Sequence, residues 1–186
     1  MLARCSTIVR IALLVGVWLS TTGTVAFCSF NSDPAGGVGG PDGPGTGDTF
    51  RATLLLRNAA GVVTDNFVFG ESIRFDLLLE NRTAREVRVQ FPDAQTYDFF
   101  VFNNGTSQIR WQWSEGRAFA QVATELVFEP DSSKTFSVTW NGVLRDGTNL
   151  PPGLYEAKGL MVYEGYENTP RAPHEYASVL VPFTVR

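Results

Sequence analysis

The chain has 186 residues, of which 44% are hydrophobic and 18% are charged, a composition that fits one globular domain with an additional segment. Its net charge is −4 at pH 7, and lysine and arginine form no cluster along the sequence. This excludes DNA and RNA as partners, because nucleic-acid binding needs a basic surface that releases counterions. Phenylalanine, tyrosine and tryptophan recur in short alternating runs, which favours an all-β protein.

Residues 1–26 are predicted to be a secretory signal peptide. Arg4 and Arg10 precede an uninterrupted apolar run at residues 11–19, and small residues follow it up to Ala26. The run is well below the roughly 20 residues that a membrane-spanning helix needs. The sequence therefore predicts cleavage after Ala26 and export to the cell envelope or the extracellular space.

Cys28 leaves lipid attachment open as an alternative to a free mature protein. A cysteine that closes a signal peptide and precedes a linker resembles the acylation site of bacterial lipoproteins, although Phe27 stands where that site has a small residue. Membrane association is expected only through such a lipid or through an uncleaved signal peptide.

Residues 27–47 are predicted to be a flexible linker. Glycine supplies flexibility and proline extends the chain locally, and together they make up most of residues 33–47. Such a segment cannot form a core. The folded domain is therefore expected to occupy residues 48–186.

Apolar and polar residues alternate through the predicted domain, as in β-strands with one buried face. In residues 72–80 the odd-numbered positions from Ile73 to Leu79 are all apolar. Residues 97–102 are apolar on both faces, which predicts a central strand. Further runs of this kind occur at residues 50–57, 87–91, 109–113, 136–140 and 179–185.

Turn sequences separate these runs, and no sustained helical period appears. Asn104-Gly105 is a strong hairpin signal. Other predicted reversals are residues 131–133, 141–142, 146–147 and 151–153. The predicted fold is an all-β, Ig-like antiparallel β-sandwich of about eight strands.

The domain offers few residues for catalysis or for a cofactor. Both cysteines lie within the first 28 residues, and the single histidine, His174, falls in a predicted loop. A nucleophilic triad and a cysteine metal site therefore have no basis. Asp131 and Asp146 are isolated, unlike the dense acidic ligands of a calcium loop. We expect a protein that is not an enzyme, with no catalytic residues, metal or cofactor.

Two sequence patterns are specific enough to indicate a family: Gln-x-Tyr-Asp-Phe at residues 95–99 and Trp-x-Trp-Ser-x-Gly at residues 111–116. With them, roughly residues 49 to 163 resemble the BsuPI-type intracellular proteinase inhibitor domain. The resemblance implies an Ig-like sandwich, a protein partner and, from the founding members, inhibition of a serine proteinase. Because this chain carries a predicted export signal, such a proteinase would lie in the envelope or outside the cell.

The loop at residues 141–153 is the best candidate for contact with a partner. It connects two predicted strands and ends in Pro151-Pro152, which stiffens it. Leu144, Arg145 and Asp146 are its candidate partner-binding residues, and we expect Leu144 or Arg145 to fill a specificity pocket. The alternative is a simple strand connection with a small hairpin of its own.

Other conspicuous residues have structural interpretations. Trp111 and Trp113 share a face and are expected in the core, whereas Asp98 points to the opposite face as a hydrogen-bonded or exposed carboxylate. Besides proteinase inhibition, the sequence leaves open an accessory structural or adhesive Ig-like module of the cell envelope. A third possibility is glycan binding through exposed Tyr163 and Tyr166.

Overall fold

A computed structural model describes residues 49–186, which contain ten β-strands and no helix. The predicted signal peptide, the predicted linker and Cys28 lie outside these residues. Within the described part, no helical segment has the length and apolarity of a membrane crossing. The strands are β1 (Phe50–Arg57), β2 (Asn66–Phe67), β3 (Ile73–Asn81), β4 (Val87–Phe91), β5 (Tyr97–Asn103), β6 (Ile109–Gln112), β7 (Thr124–Phe128), β8 (Ser133–Trp140), β9 (Gly153–Met161) and β10 (Val181–Val185).

The first sheet has three antiparallel strands in the order β1-β3-β8. β3 lies at its centre, and the alternating residues from Ile73 to Leu79 are buried in the core. Leu77 pairs with Leu54 of β1 on one side and with Phe136 of β8 on the other. The predicted alternation is confirmed here, because one face of this sheet is apolar and the other is largely polar.

The second sheet has five strands in the order β2-β10-β9-β5-β6. Its neighbours are antiparallel except for β2, which runs parallel to β10. β5 is buried on both faces, as predicted for a central strand: Phe99 and Val101 point into the main core, whereas Phe100 and Phe102 belong to a second apolar cluster. The two sheets enclose the main core and make the domain an all-β sandwich.

Aromatic rings fill much of the main core. Trp111 of β6 stacks on Trp140 of β8 with ring centroids 4.7 Å apart, which joins the two sheets. The antiparallel ribbon of β4 and β7 contributes Phe128, whose ring meets Phe50 edge to face at 4.8 Å. Fully burying one such side chain contributes about 1.5–3 kcal/mol, so these rings stabilise a domain whose sequence contains no cysteine.

A long connection between β9 and β10, residues 162–180, covers the outer face of the five-stranded sheet. Tyr166 packs on Phe100 and Phe102 in the second apolar cluster. Arg171 pairs with Glu156 of β9 at 2.7 Å and lies over the Phe102 ring at 5.1 Å. This connection forms a third layer, which explains why β5 is apolar on both faces.

The strand count and several strand boundaries differ from the sequence prediction of about eight strands. β2 has only two residues, too few to show a period. The last strand begins at Val181 rather than at Val179, whose side chain is 79% exposed. Before Val181 the chain contacts β9 through isolated hydrogen bonds, in one of which Ser178 N donates to Gly159 O. Regular pairing of β10 with β9 begins only at Val181.

Candidate partner-binding site

Residues 141–152, between β8 and β9, form a small hairpin. At its tip Leu144 N donates to Thr148 O at 2.7 Å, and Gly147 N donates to Leu144 O at 3.0 Å. Gly147 has φ of 80°, the left-handed conformation that closes a three-residue hairpin loop. The tip of this hairpin, called the β8–β9 hairpin below, consists of Arg145, Asp146 and Gly147. The sequence left open a strand connection with a small hairpin of its own, and the structure has this form.

The three candidate residues of this hairpin have different environments. Leu144 is only 9% exposed and belongs to the main core, so it cannot fill a partner's pocket without leaving its own core. That part of the prediction needs correction. The Arg145 side chain is 82% exposed. Asp146 braces the turn, because its Oδ1 accepts hydrogen bonds from Thr148 N and Oγ1, which lower the pKa of Asp146.

Side chains from the neighbouring strands hold the hairpin in place. Trp140 Nε1 donates to Val143 O at 2.8 Å, and the Tyr155 hydroxyl donates to Pro151 O at 2.8 Å. At the base, Gly142 has φ of 74°, and a Cβ there would lie 3.1 Å from Glu71 O. The hairpin is therefore ordered before any partner binds, which reduces the entropy lost on binding.

A groove of about 330 Å³ separates the hairpin from the residues that follow β6. We call it the arginine groove, because Arg145 and Arg117 line opposite sides. Arg145 Nη1 donates to Glu115 Oε1 and so joins the two walls. The Arg117 guanidinium lies 4.8 Å above the Trp113 ring, and its Nε donates to Trp113 O at 2.7 Å.

The two tryptophans of β6 and the following turn are partly buried against the core, as predicted, and also line the groove. Trp113 stacks on Tyr97 at 4.6 Å, so its ring is fixed on the core side. The sequence prediction missed Glu115 and Arg117 as groove residues. The Trp-x-Trp-Ser-x-Gly segment was a signal for this turn, but no pattern indicated that it faces a hairpin 30 residues later.

Asp98 fixes the wall of the groove from within. Its carboxylate is fully buried; Oδ1 accepts from Phe99 N and Ser114 N, and Oδ2 accepts from Gln112 Nε2 and Ser114 Oγ, at distances of 2.6–3.1 Å. Burial raises the pKa of Asp98, and these hydrogen bonds oppose the rise. The predicted hydrogen-bonded carboxylate is confirmed, and its role is to hold β5 to the turn after β6.

The aromatic residues that sequence suggested for glycan binding are not both exposed. Tyr166 is buried; its hydroxyl donates to Asp98 Oδ2 at 3.4 Å and accepts from Gln95 Nε2 at 2.8 Å. Tyr163 stacks on His174 with ring centroids 3.7 Å apart. His174 is half-buried, and burial and Lys158 lower its pKa. The prediction of exposed tyrosines is therefore wrong: Tyr166 is buried and Tyr163 is half-buried, which leaves no aromatic platform for a glycan at these two positions.

Over residues 49–186 no group of three or more histidine, cysteine, aspartate or glutamate side chains is placed to hold a metal ion.

Comparisons with known proteins identify a family. Residues 63–166 match the family described as BsuPI, intracellular proteinase inhibitor. No curated protein gives a significant match. Among solved structures, the CARDB domain of a Pyrococcus furiosus protein in complex with di-metal ions is 12% identical, with 75% of this chain and 90% of that chain covered and a TM-score of 0.38.

Two β-glucosidases are also similar over part of their length. The one from Erythrobacter marinus is 10% identical, with 74% of this chain and 15% of that chain covered and a TM-score of 0.40. The one from Listeria innocua in complex with gluconolactone is 9% identical, with 72% of this chain and 16% of that chain covered and a TM-score of 0.36. The chain spans about one sixth of either enzyme.

Proposed function

Because the chain belongs to the BsuPI family of intracellular proteinase inhibitors, we propose that it is an exported inhibitor that blocks a serine proteinase with the tip of its β8–β9 hairpin. The observation that carries this proposal is the exposed Arg145 side chain on a hairpin braced by Trp140 and Tyr155. A preordered protrusion loses little conformational entropy when it enters a cleft. The predicted signal peptide supports a target in the envelope or outside the cell.

The tip favours occlusion of the cleft over imitation of a substrate. Leu144 and Gly147 close a tight turn, and Leu144 is held in the core, so the backbone around Arg145 is not an extended segment. Arg145 would contact a carboxylate of the proteinase, since guanidinium and carboxylate groups form strong paired hydrogen bonds.

A second candidate function is an accessory adhesive module without inhibitory activity. The connection between β2 and β3, which contacts the base of the β8–β9 hairpin at Gly142, exposes Val68 and Phe69 by 68% and 50%. Neighbouring exposed apolar side chains of this kind often mark protein contacts. The same end of the sandwich could therefore bind another envelope protein.

A titration against a panel of subtilisin-like and trypsin-like proteinases separates these functions. The purified mature chain should abolish the activity of at least one proteinase at a stoichiometric ratio, measured with a small chromogenic substrate. Arg145→Ala should weaken inhibition by about 30-fold, the effect of removing a typical interface hot spot. Arg51→Ala is the matched control, because Arg51 is also exposed and also pairs with a glutamate.

Two results would contradict the proposal. Full proteinase activity across the panel at excess protein would favour the adhesive module. Inhibition that is equally strong with Arg145→Ala would show that another surface makes the contact.

A further inference from the structure

Two arginines of the segment 109–117 and one from the β8–β9 hairpin line one side of the domain. Arg117 and Arg145 line the arginine groove, and Arg110 and Arg145 line an adjoining depression that also includes Asp146. The chain as a whole carries a net charge of −4, whereas three guanidinium groups against the carboxylates of Glu115 and Asp146 give this side a local excess of positive charge. The fold brings these residues together; the sequence alone shows no basic cluster.

Each of the three guanidinium groups has hydrogen-bonding capacity left. Arg110 Nε is buried and has no hydrogen-bond partner in the described structure. Within residues 49–186, the Arg117 side chain makes one hydrogen bond, in which its Nε donates to Trp113 O. Since a guanidinium carries five N–H donors, the terminal nitrogens of Arg117 remain for a ligand.

The pair between Arg145 and Glu115 can be exchanged for a ligand carboxylate. Both side chains are substantially exposed, and an exposed ion pair contributes about 0–1 kcal/mol. A partner carboxylate could therefore replace Glu115 at little cost. It would also gain the Arg117 guanidinium, which lies over the Trp113 ring and carries a planar fork of donors that suits paired hydrogen bonds.

The edge of the five-stranded sheet beside the groove is open. β6 pairs only with β5 among the described strands. The pairing shifts between Val101 and Phe102, which leaves Arg110 as an extra residue, a β-bulge. A free edge offers backbone hydrogen bonds to an extended segment, and Arg110 at the bulge favours a segment that carries acidic residues.

We infer that the arginine groove and the free edge of β6 bind an extended acidic segment of the partner protein. This deepens the proposed function, on which it rests only for the partner being a protein. Arg145 and Arg117 hold carboxylates of the segment, Arg110 meets a third acceptor at the bulge, and Trp113 forms the apolar wall.

The test uses the mature chain and a fluorescein-labelled octapeptide of alternating glutamate and valine. The matched peptide has glutamine in place of glutamate, which keeps shape and removes charge. In an anisotropy titration the acidic peptide should bind about tenfold more tightly or better, as expected for charge-assisted hydrogen bonds. Its affinity should fall as salt rises from about 50 to about 300 mM. Tryptophan emission should change on binding, because Trp111 and Trp113 line the groove.

Three variants connect the binding to the groove. Arg117→Glu and Arg145→Glu should each weaken the acidic peptide by about tenfold or more. Arg51→Glu should leave binding unchanged; it is the matched control, because Arg51 is 64% exposed and faces Glu80 as Arg145 faces Glu115. Glu115→Gln should strengthen binding, since it removes the carboxylate that competes for Arg145. A purely structural role of these residues would not produce opposite effects of the Glu115 and Arg145 variants.

Several outcomes would overturn the inference. These are equal binding of the acidic and glutamine peptides, equal losses with Arg51→Glu and Arg145→Glu, or tighter binding of a single-stranded oligonucleotide than of the acidic peptide. The two proposals can fail separately. Proteinase inhibition that survives Arg117→Glu, with no peptide bound, rejects the groove alone. Peptide binding without inhibition of any proteinase rejects the inhibitor alone.

Discussion

At the scale of single residues, the most conspicuous sequence patterns encode internal hydrogen bonds. The aspartate of Gln-x-Tyr-Asp-Phe meets Gln112 and Ser114 of Trp-x-Trp-Ser-x-Gly, and the glutamine of the first pattern binds the Tyr166 hydroxyl. A buried carboxylate is tolerated only when such donors replace water. These residues position the groove wall, and catalysis is not needed to explain their presence.

Lys158 is the residue whose protonation should be visible in stability. It is buried on β9, and its Nζ donates to Ala172 O in the covering connection. Burial and the nearby Arg171 charge lower its pKa from 10.5 to about 8. Between these values the unfolded chain holds the proton more firmly than the folded chain. Stability should therefore rise with pH from about 8 to about 10.5.

Urea unfolding at pH 7 and pH 10 tests this expectation. The wild-type protein should gain on the order of 2 kcal/mol relative to Lys158→Met, which keeps the side-chain length and removes the ammonium group. The difference between the two proteins isolates Lys158 from the tyrosines that also titrate near pH 10. An identical pH dependence of both proteins would mean that Lys158 is not deprotonated in this range.

At the scale of elements, alternation predicted the strands that place one face in the core. β1, β3, β4 and β8 follow it, and β5 was identified as central because both of its faces are apolar. The covering connection at residues 162–180 could not be predicted, since it has no period. Its contacts with β5 and β9 are long-range. A strand that is apolar on both faces indicates that another segment packs on each face. It does not indicate which segment of the chain this is.

In the β8–β9 hairpin, too, the local turn could be predicted from the sequence, whereas its long-range contacts could not. Asp146-Gly147 and the prolines predicted a turn with a stiff base, and the turn is present. The burial of Leu144 could not be predicted, because it depends on packing against strands distant in sequence. The opposite wall at Glu115 and Arg117 escaped prediction for the same reason.

Two glycines of this hairpin should differ in their tolerance of alanine. Gly147 and Gly142 both have positive φ, but a Cβ on Gly147 would meet open space, whereas one on Gly142 would lie 3.1 Å from Glu71 O. Gly147→Ala should cost about 1 kcal/mol from backbone strain alone, and Gly142→Ala about 2–3 kcal/mol. Chemical denaturation of both variants measures these costs. Equal costs, or a larger one at Gly147, would contradict the proposed packing of the hairpin base.

At the scale of the whole molecule, both proposed binding surfaces are assembled from parts of the chain that are distant in sequence. The arginine groove joins residues 111–117 to residues 143–145, and the apolar residues of the β2–β3 connection adjoin the same hairpin. A sandwich suits this arrangement because loops at its ends can vary while the sheets stay packed. The proposed recognition of a partner therefore requires the intact sandwich rather than one isolated segment.

The form in which the protein reaches its partner is the remaining whole-molecule prediction. We expect export and cleavage after Ala26, so that intact-mass analysis of the secreted protein gives residues 27–186 without modification. Lipid attachment would instead give a membrane-associated protein that begins with a diacylated Cys28. Cys28→Ser separates the two, because it should leave secretion and the cleavage site unchanged. A variant that stays unprocessed would establish lipid attachment, and the linker would then act as a tether between the membrane and the domain.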